Sequence, residues 1–355
     1  MLNIEMTDSK ESETNHNRNQ PLGFQRETFN LIKDDNLENI TDSLKKRIQA
    51  NDIEIDKLLE SGIVNLNKPM GPTSHQVSSW VKNIFNIQKV GHGGTLDPRV
   101  TGVLPLGLGS SARILNVLTY SLKKYVGVMR LHGDVPIKKV KQVFEKFTGP
   151  IYQLPPIRSA VKRQLRIRTI YSLEVIESKG RDVLFIVECQ AGTYIRSLVN
   201  DLGIVLGSGG HMQELRRLQT GPFHERDSVT LQELKDALIF WQEEKDDNLL
   251  RKCIKPLEVL LMDLPKIMIH DSAVDAVCHG ANLAIPGIIQ FEDILHKGEP
   301  VGIFTRRGEG VAIGEASMTT KELLKLKSGY AVKTKRVIMP PGVYKKGWKT
   351  KESTG

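Results

Sequence analysis

Two short segments of this chain combine residue types that could do chemistry together. Residues 91–98 read Gly-His-Gly-Gly-Thr-Leu-Asp-Pro and place one carboxylate, Asp97, at the end of a glycine-rich loop. Because proline fixes its own φ and pushes the preceding residue toward extended conformations, Asp97 is held out of any helix. Residues 192–196 add an aromatic hydroxyl at Tyr194 and a guanidinium at Arg196. A carboxylate with an arginine partner suits a nucleophile that must stay ionised.

Each segment also has an ordinary structural interpretation. Gly-x-Gly-Gly is usually a tight turn, and an aspartate before proline is usually a turn former. The flanking residues favour chemistry, because Asn-Lys-Pro at 67–69 and Gly-Pro-Thr-Ser at 71–74 precede the first segment, and Leu-Arg-Arg at 215–217 follows the second. This combination closely resembles the TruB/dyskerin class of pseudouridine synthases, most of all the archaeal H/ACA-guided enzyme. The resemblance runs from about Gly62 to about Tyr344.

The resemblance implies a reaction that needs no cofactor. Pseudouridine formation breaks the bond between ribose C1′ and uracil N1 and rejoins the base through C5. The sequence has no Walker loop, no His-Glu-x-x-His motif and no ligand cluster, so we expect neither a cofactor nor a metal. The resemblance makes Asp97 the nucleophile or general base, at the sugar or at the ring, with Arg196 holding it ionised and oriented.

The same resemblance assigns residues that would bind the substrate. Tyr125 would stack on the flipped base and assist with the proton at C5. Tyr194 and Leu215 would line the pocket, and His92 would sit beside the vacated base position. Lys68 would support the Asp97 loop. Four of these residues also have an alternative role: Tyr125 as an edge or core aromatic, Leu215 as a core leucine, His92 as a hydrogen-bonding turn residue and Lys68 as a solvated charge.

A basic strip is the clearest candidate for RNA contact. Five of the eleven residues between 158 and 168 are basic. Such density suits a surface that follows phosphates, although a solvated charged strand would look the same. The predicted RNA-binding residues are Lys162, Arg163, Arg166 and Arg168.

Composition points to a partner with many negative charges. The 355 residues carry a formal net charge of +9, yet residues 1–60 hold 8 Lys/Arg against 13 Asp/Glu, so the rest is strongly basic. A basic body favours a polyanion. Cys189, Cys253 and Cys278 stand far apart, without a zinc ribbon or a disulfide framework. No apolar run reaches the length of a membrane span, and the polar N-terminus lacks a signal-peptide core, so we expect a cytoplasmic protein.

The pattern of elements predicts an α+β fold. Strands and helices alternate in no strict βαβ order, which favours a catalytic domain with a mixed, mainly antiparallel sheet. We expect a polar, acidic and partly disordered extension over 1–60, the catalytic domain over 61–264 and a basic tail over 343–355. Residues 265–342 have short strand-like runs and a Gly-Ala-Asn-Leu phrase at 280–283, which resembles the small, mostly-β PUA domain that binds RNA.

One departure from the family indicates which member this is. Bacterial stand-alone tRNA enzymes carry a long gripping insertion after the Ser-Ala segment, whereas here residues 159–160 pass within about eight residues into the next strand. An enzyme without its own clamp would borrow one. The resemblance therefore implies an H/ACA guide RNA, three small accessory proteins, and rRNA and tRNA substrates. The sequence lacks the long lysine-rich tail that is typical of eukaryotic dyskerins, which favours an archaeal source. The alternative is a stand-alone enzyme that modifies the tRNA T-loop.

Two rival functions come from other classes. Residues 107–112 satisfy Gly-x-Gly-x-x-Ala and have Asp134 about twenty residues on, as in a dinucleotide-binding oxidoreductase. Against this, we expect Pro105 to interrupt the strand that would feed the loop. The second rival is a catalytically silent RNA-binding scaffold that uses only the PUA unit, which the presence of Asp97 disfavours.

Overall fold

The computed structural model describes residues 26–34, 36–49, 53–155, 162–294 and 296–346. Three features predicted from the sequence therefore lie outside the described residues: most of the disordered part of the extension, the start of the basic strip with the short Ser-Ala connection, and the end of the basic tail.

A ten-stranded, mixed sheet forms the scaffold of the larger unit. All its strand pairs are antiparallel except a short parallel contact between two central strands, β4 (Thr101–Leu108) and β9 (Gly210–Thr220). In spatial order the main path is β11 (Ile254–Lys255), β2 (Ile63–Lys68), β4 (Thr101–Leu108), β9 (Gly210–Thr220), β5 (Lys123–Leu131), β8 (Asp182–Cys189), β7 (Arg166–Lys179) and β6 (Gly149–Gln153), with β3 (Val90–His92) on β4 and β10 (Phe223–His224) on β9.

Helices cover this sheet. They are α2 (Ile55–Ser61), α3 (Ser74–Phe85), α4 (Ile137–Lys146), α5 (Ile195–Leu206), α6 (Leu231–Glu244) and α7 (Asn248–Cys253). Shorter 3-10 helices span Gly109–Arg113, Leu115–Tyr120, Glu225–Asp227 and Leu257–Leu261. One apolar core lies under α3 and α6, and a second lies under α4 and α5.

Helix α3 shows how the local sequence sets an element. Thr73 caps it, and the Gln76 side chain bonds back to the Thr73 amide, which completes a capping box. Val77 is buried on the inner face of the helix, whereas Trp80 is 44% exposed. Ser78 takes the inward position instead, and its hydroxyl donates to the Ser74 carbonyl at 3.0 Å.

Pro105 does not interrupt a strand, so that expectation was wrong. It lies inside β4, opposite Asn65 of β2. The Asn65 carbonyl accepts a hydrogen bond from the Val229 amide (2.9 Å), and the Pro105 carbonyl accepts one from the Gly93 amide (2.8 Å). The missing N–H of Pro105 therefore leaves neither carbonyl without a donor. Short 3-10 helices follow β4 instead of one long α-helix, and β2 pairs with β4 in the antiparallel direction along its whole length. The Gly-x-Gly-x-x-Ala segment is therefore not part of a βαβ dinucleotide-binding unit.

The C-terminal unit is built on a seven-stranded sheet that recruits a strand from the N-terminal extension. Its order is β1 (Thr28–Asn30), β14 (Ile288–Glu292), β12 (Lys266–Ile269), β15 (Pro300–Phe304), β16 (Gly310–Ala316), β17 (Tyr330–Val337) and β13 (Leu283–Ala284). The strands enclose α8 (Asp271–Cys278) and α9 (Thr320–Lys325), with a 3-10 turn at Ile285–Gly287. The predicted fold class, an α+β catalytic domain with a small mostly-β domain, is confirmed.

A shared apolar core joins the two units. Helix α1 (Ile40–Gln49) buries Ile40 and Leu44 against residues of both, including Val103 of the larger sheet and Phe304 of the smaller one. The extension is also tied by polar contacts, since the Ile40 amide donates to the Gln290 side chain at 2.6 Å. Residues 26–34 and 36–49 therefore pack as part of the folded body.

Candidate active site

The Asp97 loop connects β3 to β4 and is fixed by contacts on both sides of the aspartate. The Ser74 hydroxyl accepts the Leu96 amide (2.8 Å) and lies 3.0 Å from the Leu96 carbonyl, so the start of α3 clamps the residue before Asp97. The Val100 amide then donates to the Asp97 carbonyl at 3.0 Å. This turn leaves the Asp97 side chain 44% exposed at the surface.

Lys68 holds the same loop from behind. Its side chain is fully buried, and Nζ donates to the carbonyls of Pro69 (2.9 Å), Pro98 (3.2 Å) and Val100 (3.0 Å). Burial lowers the pKa of Lys68, while the nearby Asp97 carboxylate opposes that shift. Lys68 therefore links carbonyls on both sides of the Asp97 loop.

Arg196 reaches Asp97 from the start of α5. Nη2 lies 2.9 Å from the Asp97 Oδ2, although the residues are about a hundred positions apart. Tyr194 is the N-cap residue of α5. Its amide donates to the Gln153 Oε1 (2.9 Å), and its carbonyl accepts from the Gln153 Nε2 (3.1 Å). The structure thus brings the two segments together, and Tyr194 lies two positions before the arginine of the ion pair.

Tyr125 and Leu215 lie on neighbouring strands beside this pair. Tyr125 on β5 faces Arg217 on β9, and Leu215 faces Gly127 two positions further along β5. Both side chains are partly buried and pack against the two cores of the larger unit. Burial raises the pKa of the Tyr125 hydroxyl, and a hydrogen bond from Arg217 acts in the opposite direction.

His92 lies at the end of β3, paired with Leu106 of β4. Its Nδ1 is buried and has no hydrogen-bond partner among the described residues. Burial lowers the pKa of His92, and the charges of His75 and Arg217 add to that effect. The ring is therefore neutral at pH 7.

The basic strip divides into two parts. Lys162 and Arg163 are exposed, as a phosphate-tracking surface requires. Arg166 and Arg168 lie in β7 and are half-buried. The guanidinium of Arg168 packs over Gly192, where an added Cβ would come within 3.2 Å of Nε, so this side chain belongs to the turn that carries Tyr194. The four residues do not form one continuous solvated strip.

Sequence reasoning missed the role of one further arginine, Arg217. It is 2% exposed and donates to carbonyls of both β4 and the Asp97 loop. The Leu-Arg-Arg phrase marked the segment as part of the family pattern, but nothing in it separates the buried Arg217 from its half-exposed neighbour, Arg216.

The described residues include no group of three or more His, Cys, Asp or Glu side chains that could hold a metal ion. The three cysteines are buried and free. Among the described helices, none is both long enough and apolar enough to cross a bilayer.

Known families match consecutive parts of the chain. They are the N-terminal domain of the TruB family of pseudouridylate synthases over residues 82–195, the C-terminal domain of tRNA pseudouridylate synthase B over 196–262, and the PUA domain over 265–338. A relative from Methanosarcina barkeri (strain Fusaro / DSM 804), "Probable tRNA pseudouridine synthase B", is 53% identical over 294 residues, which is 83% of this chain and 87% of the relative. A relative of the same name from Methanopyrus kandleri is 52% identical over the same shares.

Solved structures are similar over a larger part of the chain. The "Crystal Structure of a Cbf5-Nop10-Gar1 Complex" contains a chain that is 46% identical, with a TM-score of 0.82, covering 90% of this chain and 96% of its own. The "Structure of H/ACA RNP bound to a substrate RNA containing 2'-deoxyuridine" gives 43% identity and a TM-score of 0.82, covering 93% and 100%.

An α+β catalytic domain, joined to a PUA domain and carrying an arginine-paired aspartate at its surface, defines an RNA-modifying enzyme. The chain belongs to the TruB family of pseudouridine synthases, which isomerise uridine to pseudouridine in RNA.

Proposed function

We propose that this chain is the catalytic subunit of an H/ACA guide ribonucleoprotein that acts on rRNA and tRNA in the cytoplasm. The observation that carries the proposal is the similarity, over more than nine-tenths of the chain, to chains solved within H/ACA assemblies. Catalytic domain, N-terminal strand and PUA unit pack as one body, which supports a platform for a large RNA partner.

Asp97 is the catalytic carboxylate in this proposal. Arg196 keeps it ionised and directs Oδ2, and Lys68 holds the loop backbone behind it. As a nucleophile at C1′ or at the ring, Asp97 would form a covalent bond that breaks again before the product leaves. As a base it would remove a proton instead. In either route the C1′–N1 bond breaks, a C1′–C5 bond forms, the C5 hydrogen leaves as a proton and N1 takes up a proton.

The remaining pocket residues would bind the flipped uridine. The partly buried ring of Tyr125 offers a face for stacking and a hydroxyl near C5. Tyr194 and Leu215 would close the pocket on either side. His92, neutral and with a free Nδ1, would accept or donate one hydrogen bond beside the vacated base position.

Contacts to RNA phosphates would come from the four basic residues of the strip. Lys162 and Arg163 would act as exposed positioning contacts. Arg166 and Arg168 would hold phosphate close to the Tyr194 turn. Replacing Arg163 by alanine should weaken RNA binding uniformly across sequences and reduce the salt slope by about one. Replacing Arg168 by alanine should also slow turnover, because its guanidinium packs on the turn before Tyr194.

The partners follow from the same similarity. We propose a guide RNA that pairs with the target, and three small accessory proteins. Two would correspond to the Nop10 and Gar1 chains that accompany Cbf5 in the related solved structures.

The experiment is release of tritium from RNA labelled at uracil C5. The chain would be assayed alone on tRNA, and then with guide RNA and accessory proteins on a guided target. We expect release in the assembled sample, abolished by Asp97→Asn. Asp134→Asn is the matched control, because Asp134 is an exposed aspartate that pairs with Arg181 (3.1 Å) far from the Asp97 loop.

The second candidate function is stand-alone modification of tRNA, and the name of the curated relatives favours it. Release by the isolated chain on tRNA, with no gain on assembly, would establish this function instead. If neither sample releases tritium while RNA binding persists, the non-catalytic scaffold becomes the better account.

A further inference from the structure

The guanidinium of Arg217 is a buried cation that no carboxylate of the described residues pairs with. The residue is 2% exposed, and within the described part of the chain no ion pair involves it. Burying an unpaired charge costs several kcal/mol unless oriented hydrogen bonds compensate. The groups that accept those bonds therefore show what Arg217 does.

Two of its three partners belong to the segments that carry the proposed catalytic groups. Nη2 donates to the carbonyl of Gly94, three residues before Asp97, at 3.3 Å. Arg217 is also paired with Tyr125 across β5 and β9, and its charge and hydrogen bonding oppose the rise that burial causes in the pKa of the Tyr125 hydroxyl. The third contact, from Nε to the Val103 carbonyl at 2.7 Å, anchors the side chain to β4.

The backbone of Arg217 is fixed as tightly as its side chain. It pairs with Tyr125 of β5 on one side and with Gly102 of β4 on the other. Gly102 has φ +97°, and a Cβ there would lie 2.2 Å from the Arg217 carbonyl oxygen. A glycine thus permits the close approach of β4 and β9 at the point from which the guanidinium starts.

We propose that Arg217 is a positioning residue for pseudouridine formation: its guanidinium joins the Asp97 loop to Tyr125, so that both reach the same flipped uridine. The inference rests on the proposed roles of Asp97 and Tyr125. Arg217 itself does not touch the reacting atoms, because its side chain is enclosed in the fold and bonds backbone carbonyls.

A positioning role predicts which kinetic parameter changes. Misplacing a reacting group by about 1 Å can cost about 100-fold in rate. The buried guanidinium offers no surface to RNA, so RNA affinity should change little. A residue that only stabilises the fold would lower the melting temperature without a specific effect on the chemical step.

The test uses the fully assembled enzyme and single-turnover tritium release at saturating RNA. Arg217→Met should lower the rate constant by about 100-fold, with RNA affinity within about threefold of wild type. Arg217→Lys, which keeps the charge but cannot span all three partners, should lie between Met and wild type. Arg216→Met is the matched control: Arg216 points to the other face of β9, where it bonds Thr101 (3.2 Å) and Asn67 (3.1 Å).

A double variant tests the coupling. If Arg217 acts partly through the Tyr125 hydroxyl, Arg217→Met combined with Tyr125→Phe should lose less activity than the product of the two single losses. The inference is overturned if Arg217→Met is no slower than Arg216→Met, or if its loss multiplies fully with that of Tyr125→Phe. Should Arg217→Met fail to fold, Arg217→Lys serves in both comparisons. An inactive wild-type assembly would instead overturn the proposed function.

Discussion

The guanidinium of Arg196 meets the carboxylate of Asp97, with Nη2 2.9 Å from Oδ2, at a point where both side chains remain about half exposed. An exposed ion pair contributes little to stability, so its importance lies in orientation. Activity and stability, measured on the same variants, separate the residues that orient the site from those that stabilise the fold.

Replacing Arg196 by methionine should affect catalysis far more than stability. Loss of the partner leaves the Asp97 carboxylate free to rotate, and we expect turnover to fall by about 100-fold. The free energy of unfolding should change by less than about 1 kcal/mol. Tritium release and urea unfolding measure the two quantities. Arg181→Met, which breaks the exposed pair with Asp134, should change neither.

Replacing Lys68 by methionine should reduce both stability and activity. One buried and two partly buried carbonyls would lose their common donor, and we expect a loss of about 3 kcal/mol in the free energy of unfolding. The loop that carries Asp97 would then be held less firmly. Urea unfolding and turnover, measured on the same preparations, test this. Lys57→Met on the exposed surface of α2 is the control, and a loss equal to that control would contradict the structural role.

Replacing Gly102 by alanine should be costly because it combines backbone strain with a clash. Its φ is +97°, and the new Cβ would meet the Arg217 carbonyl oxygen. We expect about 3 kcal/mol of destabilisation. Gly180, in the β7–β8 turn, has φ +58° with open space around it, so Gly180→Ala should cost only about 1 kcal/mol. Equal melting temperatures for the two variants would show that β4 and β9 can separate at no cost.

Lys123 should make the stability of the protein depend on pH. Burial lowers its pKa from 10.5 to about 7. Between these two values the unfolded chain binds more protons than the folded chain, so the free energy of unfolding should rise with pH from about 7 to about 10.5. Burial also raises the pKa of Asp263 from 3.8 to about 6. Between these two values the folded chain binds more protons than the unfolded chain, so the contribution of Asp263 to the free energy of unfolding should fall as the pH rises from 3.8 to about 6.

Urea unfolding at a series of pH values checks this prediction. Lys123→Met should flatten the rise above pH 7, because the buried amine is gone and no proton is released on folding. Lys124→Met, on the partly exposed neighbour that pairs with Glu188, should leave the slope unchanged. A slope that persists in Lys123→Met would assign the dependence to another group.

Local features of the sequence account for a large part of the fold. The capping box at Thr73 and Gln76 begins α3, Gly207 ends α5, and Gly180 turns β7 into β8. These signals depend on neighbours within a few positions, so they can be recognised in the chain alone. The same holds for the residue types of the two segments around Asp97 and Arg196.

The sequence by itself determined the α+β class, the candidate carboxylate and its arginine partner. Only the tertiary structure decided which lysine and which arginine are buried, because Lys68 and Arg217 are enclosed by carbonyls from distant parts of the chain. It also decided that Pro105 lies within a strand and that β1 joins the C-terminal sheet. Strand pairing between residues far apart sets these features, and no local pattern records which strands will meet.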